Sequence, residues 1–151
     1  MNQFLQTVDT LQTYIDKKSC TNESISAGSV GWHIQHSLLV IQKITETILA
    51  SDPLAYSWSF NLKRVYVFLK NGFPRGSAKA PNIVIPTSDS TSDELNESII
   101  KTKFVLAKLQ QAKANQYFIH PFFGKLNKKS SIRFFDIHTR HHLKIIQDII
   151  A

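Results

Sequence analysis

Residues 134–146, FFDIHTRHHLKII, place three of the chain's six histidines within five positions, among Phe, Leu and Ile. Successive side chains rotate by about 100° around an α-helix. On that wheel Phe134, Phe135, Ile145, Ile146 and Ile149 form one apolar stripe. His138 and His142 fall within about 20° of its centre, and His141 lies about 80° away. His138 and His142 are also i, i+4 neighbours, so they stand one above the other on the buried face. A buried imidazole without a partner loses the hydrogen bonds it made to water. Three explanations compete: surface histidines, core histidines bonded to carbonyls or acids, or the H-x-x-x-H spacing by which one helix offers two imidazoles to one metal ion.

A metal centre needs a third ligand, preferably from a facing helix. SVGWHIQHSLLV (29–40) offers His33 and His36. The wheel does not choose between them, because neither lies at the centre of the Ile34–Leu38–Ile41 stripe and His36 shares a flank with Trp32. His120, in HPFFGKL (120–126), falls in a turn and is placed at the end of the helices. His141 is expected at the edge of its helix or in solvent. Asp136 and Asp148 flank the last cluster and are expected to face solvent, with hydrogen bonding to a ligand ring as the alternative.

Outward from these stretches the chain reads as helices. The first spans about 2–18, with Phe4, Leu5, Val8, Leu11, Tyr14 and Ile15 near helical spacing. The second runs from about Ser29 to Ala50, capped by Ser29 or Ser26 and stopped by SDP at 51–53. FNLKRVYVFLK (60–70) suits a short helix, although its β-branched and aromatic residues also allow a strand. Residues 71–90, rich in Pro and Gly, read as an ordered or mobile loop. Thr91 and Glu94 have capping-box spacing and start a helix that reaches about residue 115. FIHPFFGKLN (118–127) reads as a turn, and the last helix begins near Lys128–Ser131. Long helices without a convincing set of strands predict an all-α four-helix bundle, with a short extra helix or ordered loop between its second and third long helices.

Composition fits this reading. A chain of 151 residues is expected to form one domain, 1–151, large enough for a core without disulfides. A single cysteine, Cys20, excludes an internal disulfide, suits a reducing compartment and lies in no activating motif. The N-terminal stretch reads as an amphipathic helix and not a signal peptide, and no apolar run is long enough to span a bilayer, so a cytoplasmic location is expected. A net charge of +7 admits nucleic acid or an anionic ligand. The basic residues are scattered except for Lys125, Lys128, Lys129 and Arg133, which read as a solvated helix start, so nucleic acid is not the expected partner. No phosphate-binding glycine loop, G-x-S-x-G or H-E-x-x-H occurs.

SVGWHIQHSLLV, PRGSAKAP (74–81), HPFFGKL and FFDIHTRHHLKIIQDI together resemble the DinB-like superfamily of bacterial four-helix-bundle proteins, which includes metal-dependent, bacillithiol-transferase-like members. The resemblance covers nearly the whole chain. In the family's second-helix pattern a histidine follows a Ser/Thr–Val start by seven residues, which selects His36; the final H-x-x-x-H helix matches at His138 and His142. It therefore implies a three-histidine site of His36, His138 and His142 for a divalent ion, zinc or nickel foremost. Three protein ligands leave a position open, as catalytic sites do. The implied activities are metal-dependent thiol S-transfer or hydrolysis of a small-molecule substrate, with no residue that names the reaction. The alternative is a non-catalytic bundle that holds a metal or small molecule, in a stress-related role. A homodimer is an open possibility. His33, one turn from His36, is a candidate proton shuttle or outer partner of the site, against the plainer reading of a partly exposed helix histidine.

Overall fold

A computed structural model describes residues 2–74 and 81–151. Helix α1 covers Asn2–Gln12 and is followed by a 3-10 turn at Ile15–Lys17. It stops short of the predicted residue 18 where threonine hydroxyls compete for backbone carbonyls: Thr10 Oγ1 donates to Gln6 O at 2.9 Å and Thr13 Oγ1 to Thr10 O at 2.8 Å. Helix α2, Val30–Ala50, is capped by Ser29, whose Oγ accepts from Trp32 N–H at 3.1 Å. Ser26, the other candidate cap, is used elsewhere.

Residues 62–70 form a helix and not a strand: α3, Leu62–Lys70. Asn61 caps its start by accepting from Arg64 N–H at 2.9 Å, and Asn71 ends it in the left-handed region at φ 51°. Arg64 is buried, and its guanidinium donates to the carbonyls of Ser59, Phe123 and Lys125. The stretch 71–90 carries a 3-10 turn at Asn82–Val84, while 75–80, most of the PRGSAKAP segment, lies outside the described residues. Helix α4, Ser92–Gln111, opens with the capping box expected at Thr91 and Glu94. It ends a turn before residue 115, where Gln116 Oε1 accepts from Lys113 N–H at 2.8 Å.

The turn predicted at 118–127 is a β-hairpin, which corrects the all-α expectation. Strands β1, Tyr117–His120, and β2, Gly124–Asn127, pair antiparallel with Phe118 opposite Leu126 and His120 opposite Gly124. Four-residue strands sit at the lower limit of what alternation can reveal, and Pro121 marked the segment as a turn. Gly124, at φ +70°, closes the three-residue loop. Phe118 and Leu126 point into the core. The hairpin is tied to the end of α2, since Tyr117 N–H donates to Ser51 Oγ at 2.8 Å and Gln116 Nε2 to Leu49 O at 2.9 Å. Helix α5, Lys128–Ile150, follows, capped by Asn127.

Among the described residues the chain is thus mostly helical, with a small two-stranded hairpin. Helices α1 and α2 each pack against both α4 and α5, with Val8, Leu11, Ile34, Leu38, Ile41, Leu106, Phe135 and Ile146 buried between them. Lys129 and Arg133 are exposed, as the solvated reading expected, but Lys125 in β2 and Lys128 and Arg133 in α5 also reach backbone carbonyls. Lys128 Nζ donates to Ala112 O at the end of α4, Lys125 Nζ to Ala55 O, and Arg133 to Phe68 O. Each places a cation on a backbone carbonyl at or near a helix end or turn. Among the described residues no helix is long and apolar enough to cross a membrane.

Candidate metal centre

Packing of α2 against α5 brings His36 to His138 and His142. Each ring offers one ligand nitrogen, and the three atoms lie within 4.8 Å of one another. Three points so spaced share a centre no more than about 2.8 Å from each (4.8 Å divided by √3), against zinc–imidazole bonds of about 2.0–2.1 Å. Small side-chain shifts close that gap. The ring centroids are 4.6 Å apart for His138–His142, 4.7 Å for His36–His142 and 5.2 Å for His36–His138.

The surroundings suit neutral, ligating imidazoles. His36 and His142 are only 3% and 8% exposed. Burial pushes His36 below the ordinary imidazole range, although its bond to Val84 opposes the shift. Burial holds His138 and His142 well below that range, and neighbouring imidazoles add to the effect. His36 Nδ1 donates to Val84 O at 2.8 Å; a carbonyl can only accept, so the proton sits on Nδ1 and the Nε2 lone pair is free for a ligand. His138 Nδ1 is buried with no hydrogen-bond partner. An orphaned imidazole nitrogen inside a group of three such rings is what a cation would satisfy, so the residues present fit the implied divalent ion. No Asp, Glu or Cys joins the group among the described residues, and an all-imidazole set suits zinc, nickel and similar ions.

An aromatic shell holds the rings. Trp32 stacks on His36 at 4.9 Å and 12°, and Phe134 and Phe73 pack on His138. Gly28 makes the Trp32 position possible, because a Cβ there would lie 2.9 Å from the indole.

The other sequence candidates resolve differently. His33 is 3% exposed and not a surface histidine; its Nδ1 lies 2.9 Å from His142 Nδ1 and its Nε2 3.0 Å from Ser26 Oγ. Burial, with help from His36 and His141, lowers it to about 4. His141 is half-buried against Phe73 and outside the ligand group. His120 sits on the hairpin, stacked on Phe123 at 4.2 Å, where Nδ1 accepts from Phe122 N–H at 3.1 Å and burial lowers it to about 4. Asp136 does not turn to the histidines or to open solvent: it accepts from Thr7 on α1 and from Arg140. Cys20 is exposed and apart from the site. Sequence reasoning missed Val84, whose carbonyl arrives from a loop 48 residues away and carries no side-chain signal.

The chain matches no family model, no curated protein and no solved structure.

Proposed function

We propose that this protein is a divalent-metal-binding protein of the DinB-like kind, with His36, His138 and His142 as its ligands and an open coordination position for a small molecule. The observation that carries the reading is the convergence of three ligand nitrogens within 4.8 Å, drawn from two helices. The motifs quoted above supply the DinB-like part of it. A divalent ion held by three imidazoles supplies Lewis acidity, which can activate a thiol for S-transfer or water for hydrolysis. The chain's own residues prepare for it. Val84 fixes the His36 tautomer, burial keeps all three rings neutral, and Trp32, Phe73 and Phe134 restrict how the rings can move.

Metal analysis of the purified protein after exposure to zinc or nickel tests the reading. One ion per chain is expected, with loss on replacing His36, His138 or His142 by Ala. Protein that takes up neither ion, or keeps it after all three replacements, overturns the assignment. Turnover of thiol acceptors by the loaded protein then separates an S-transferase from a bundle that only holds its ion.

A further inference from the structure

His33 lies outside the three-nitrogen group, yet both of its ring nitrogens are engaged in the interior. Its Nδ1 is 2.9 Å from His142 Nδ1, and its Nε2 is 3.0 Å from Ser26 Oγ. Two neutral imidazoles in an Nδ1–Nδ1 contact must divide the roles, one donating and one accepting. Were His33 the donor, His142 would hold its single proton on Nε2 and offer no lone pair to an ion. With His142 as donor, its Nε2 lone pair is free. His33 then carries its own proton on Nε2, where Ser26 Oγ accepts it. Ser26 Oγ also accepts from Gly28 N–H at 3.1 Å, which fixes the hydroxyl in place.

We infer that His33 is a positioning residue for the metal centre: it accepts from His142 Nδ1–H, donates its own Nε2–H to Ser26 Oγ, and so holds His142 in the tautomer whose Nε2 binds the ion. The inference rests on the metal-binding reading above. It gives His142 the service that the Val84 carbonyl gives His36, so two ligand rings have their Nδ1 protons held by fixed acceptors. Partners of this kind set ring orientation and ligand basicity, and their loss typically costs about 10–100-fold in metal affinity. Ser37, one turn further along α2, ties its hydroxyl to His33 O at 2.8 Å and steadies the backbone that carries this ring.

The test pairs two variants with one spectroscopic measurement. His33→Phe keeps the ring volume and removes the acceptor; His33→Asn places a carbonyl oxygen near the position of Nδ1 and retains it. Zinc affinity is measured by chelator competition. The tautomer of His142 is read by long-range proton–nitrogen NMR on the metal-free protein. His33→Phe is expected to bind zinc about 10–100-fold more weakly, and His33→Asn to recover most of the loss. His142 in the unmutated protein should carry its proton on Nδ1, and His33→Phe should shift it toward Nε2. The assignment is overturned if His33→Phe binds within about threefold of the unmutated protein, if Asn is as poor as Phe, or if His142 is protonated on Nε2 in the unmutated chain. Should His33→Phe not fold, the His142 tautomer in the unmutated protein decides alone. An unmutated protein that binds neither zinc nor nickel overturns the metal reading and this inference together. One that binds zinc with no effect of His33 overturns only the role of His33.

Discussion

Two buried polar clusters share helix α2, and they are built to opposite rules. Near its middle, Gln42 Nε2 donates to Ser98 O, to Ser98 Oγ and to Thr102 Oγ1, the last at 2.9 Å, and Thr102 Oγ1 donates to Ser98 O at 2.8 Å. This cluster closes on itself and fastens α2 to α4. Near the start of α2, His33 and His36 meet His138 and His142, and there His138 Nδ1 is left without a partner. Single oxygens of Gln35, Thr45 and Thr139 are also unpartnered, but none belongs to a group of converging metal ligands. A structural polar cluster satisfies its members, because each unmet buried group costs about 1–3 kcal/mol. A cluster of buried, neutral imidazoles with an unmet nitrogen has the donor set that could hold a metal ion.

The largest expected effect breaks the comparison at the histidine end. His142→Ala should weaken zinc binding by orders of magnitude, whereas His141→Ala should leave metal content nearly intact, since His141 lies outside the ligand group. Metal analysis of the two purified variants checks this, and the reverse pattern would overturn the site. The complementary change at the closed cluster is Gln42→Leu. It should lower stability by about 1–3 kcal/mol in urea unfolding and leave zinc content unchanged.

Acid sharpens the contrast further. His33 and His120 are held down to about 4 by burial, while an unfolded chain binds protons from about pH 6.5. Between those values the unfolded state carries more protons, so stability rises with pH across this window and is lost as pH falls from about 6.5 toward 4. The urea midpoint of the metal-free protein should follow that slope and flatten above pH 7. Zinc affinity should hold through the upper part of the same range and fall only toward its acid end, because burial keeps protons off the ligand nitrogens until well below pH 6.5. A midpoint independent of pH between 4 and 7 would contradict the burial of these rings.

The smallest effect is expected from Gly28→Ala. Its new Cβ, 2.9 Å from the indole, must push Trp32 away from its stack on His36. A change in tryptophan fluorescence with a few-fold loss of zinc affinity is expected. Unchanged fluorescence would show that Trp32 is not held by this contact.

What the sequence determined by itself was local. Periodicity put His138 and His142 on the buried face of α5 and His141 toward its margin, because the 100° rotation per residue needs no knowledge of the partner helix. Capping-box spacing placed the start of α4, and Ser29 was already a candidate cap for α2, since a cap acts within a single turn. Tertiary structure decided the rest. The wheel could not choose between His33 and His36, and only the family resemblance pointed to His36, because the choice depends on how α2 is rotated against α5, and a flank position points inward or outward only once both neighbours are in place. That rotation puts His36 in the ligand group and His33 behind His142. The hairpin at 117–127 escaped because four-residue strands take their pairing from each other and from the end of α2. The Val84 carbonyl escaped because any residue could have supplied it; only the path of the 82–84 turn across α2 brings a backbone acceptor to His36.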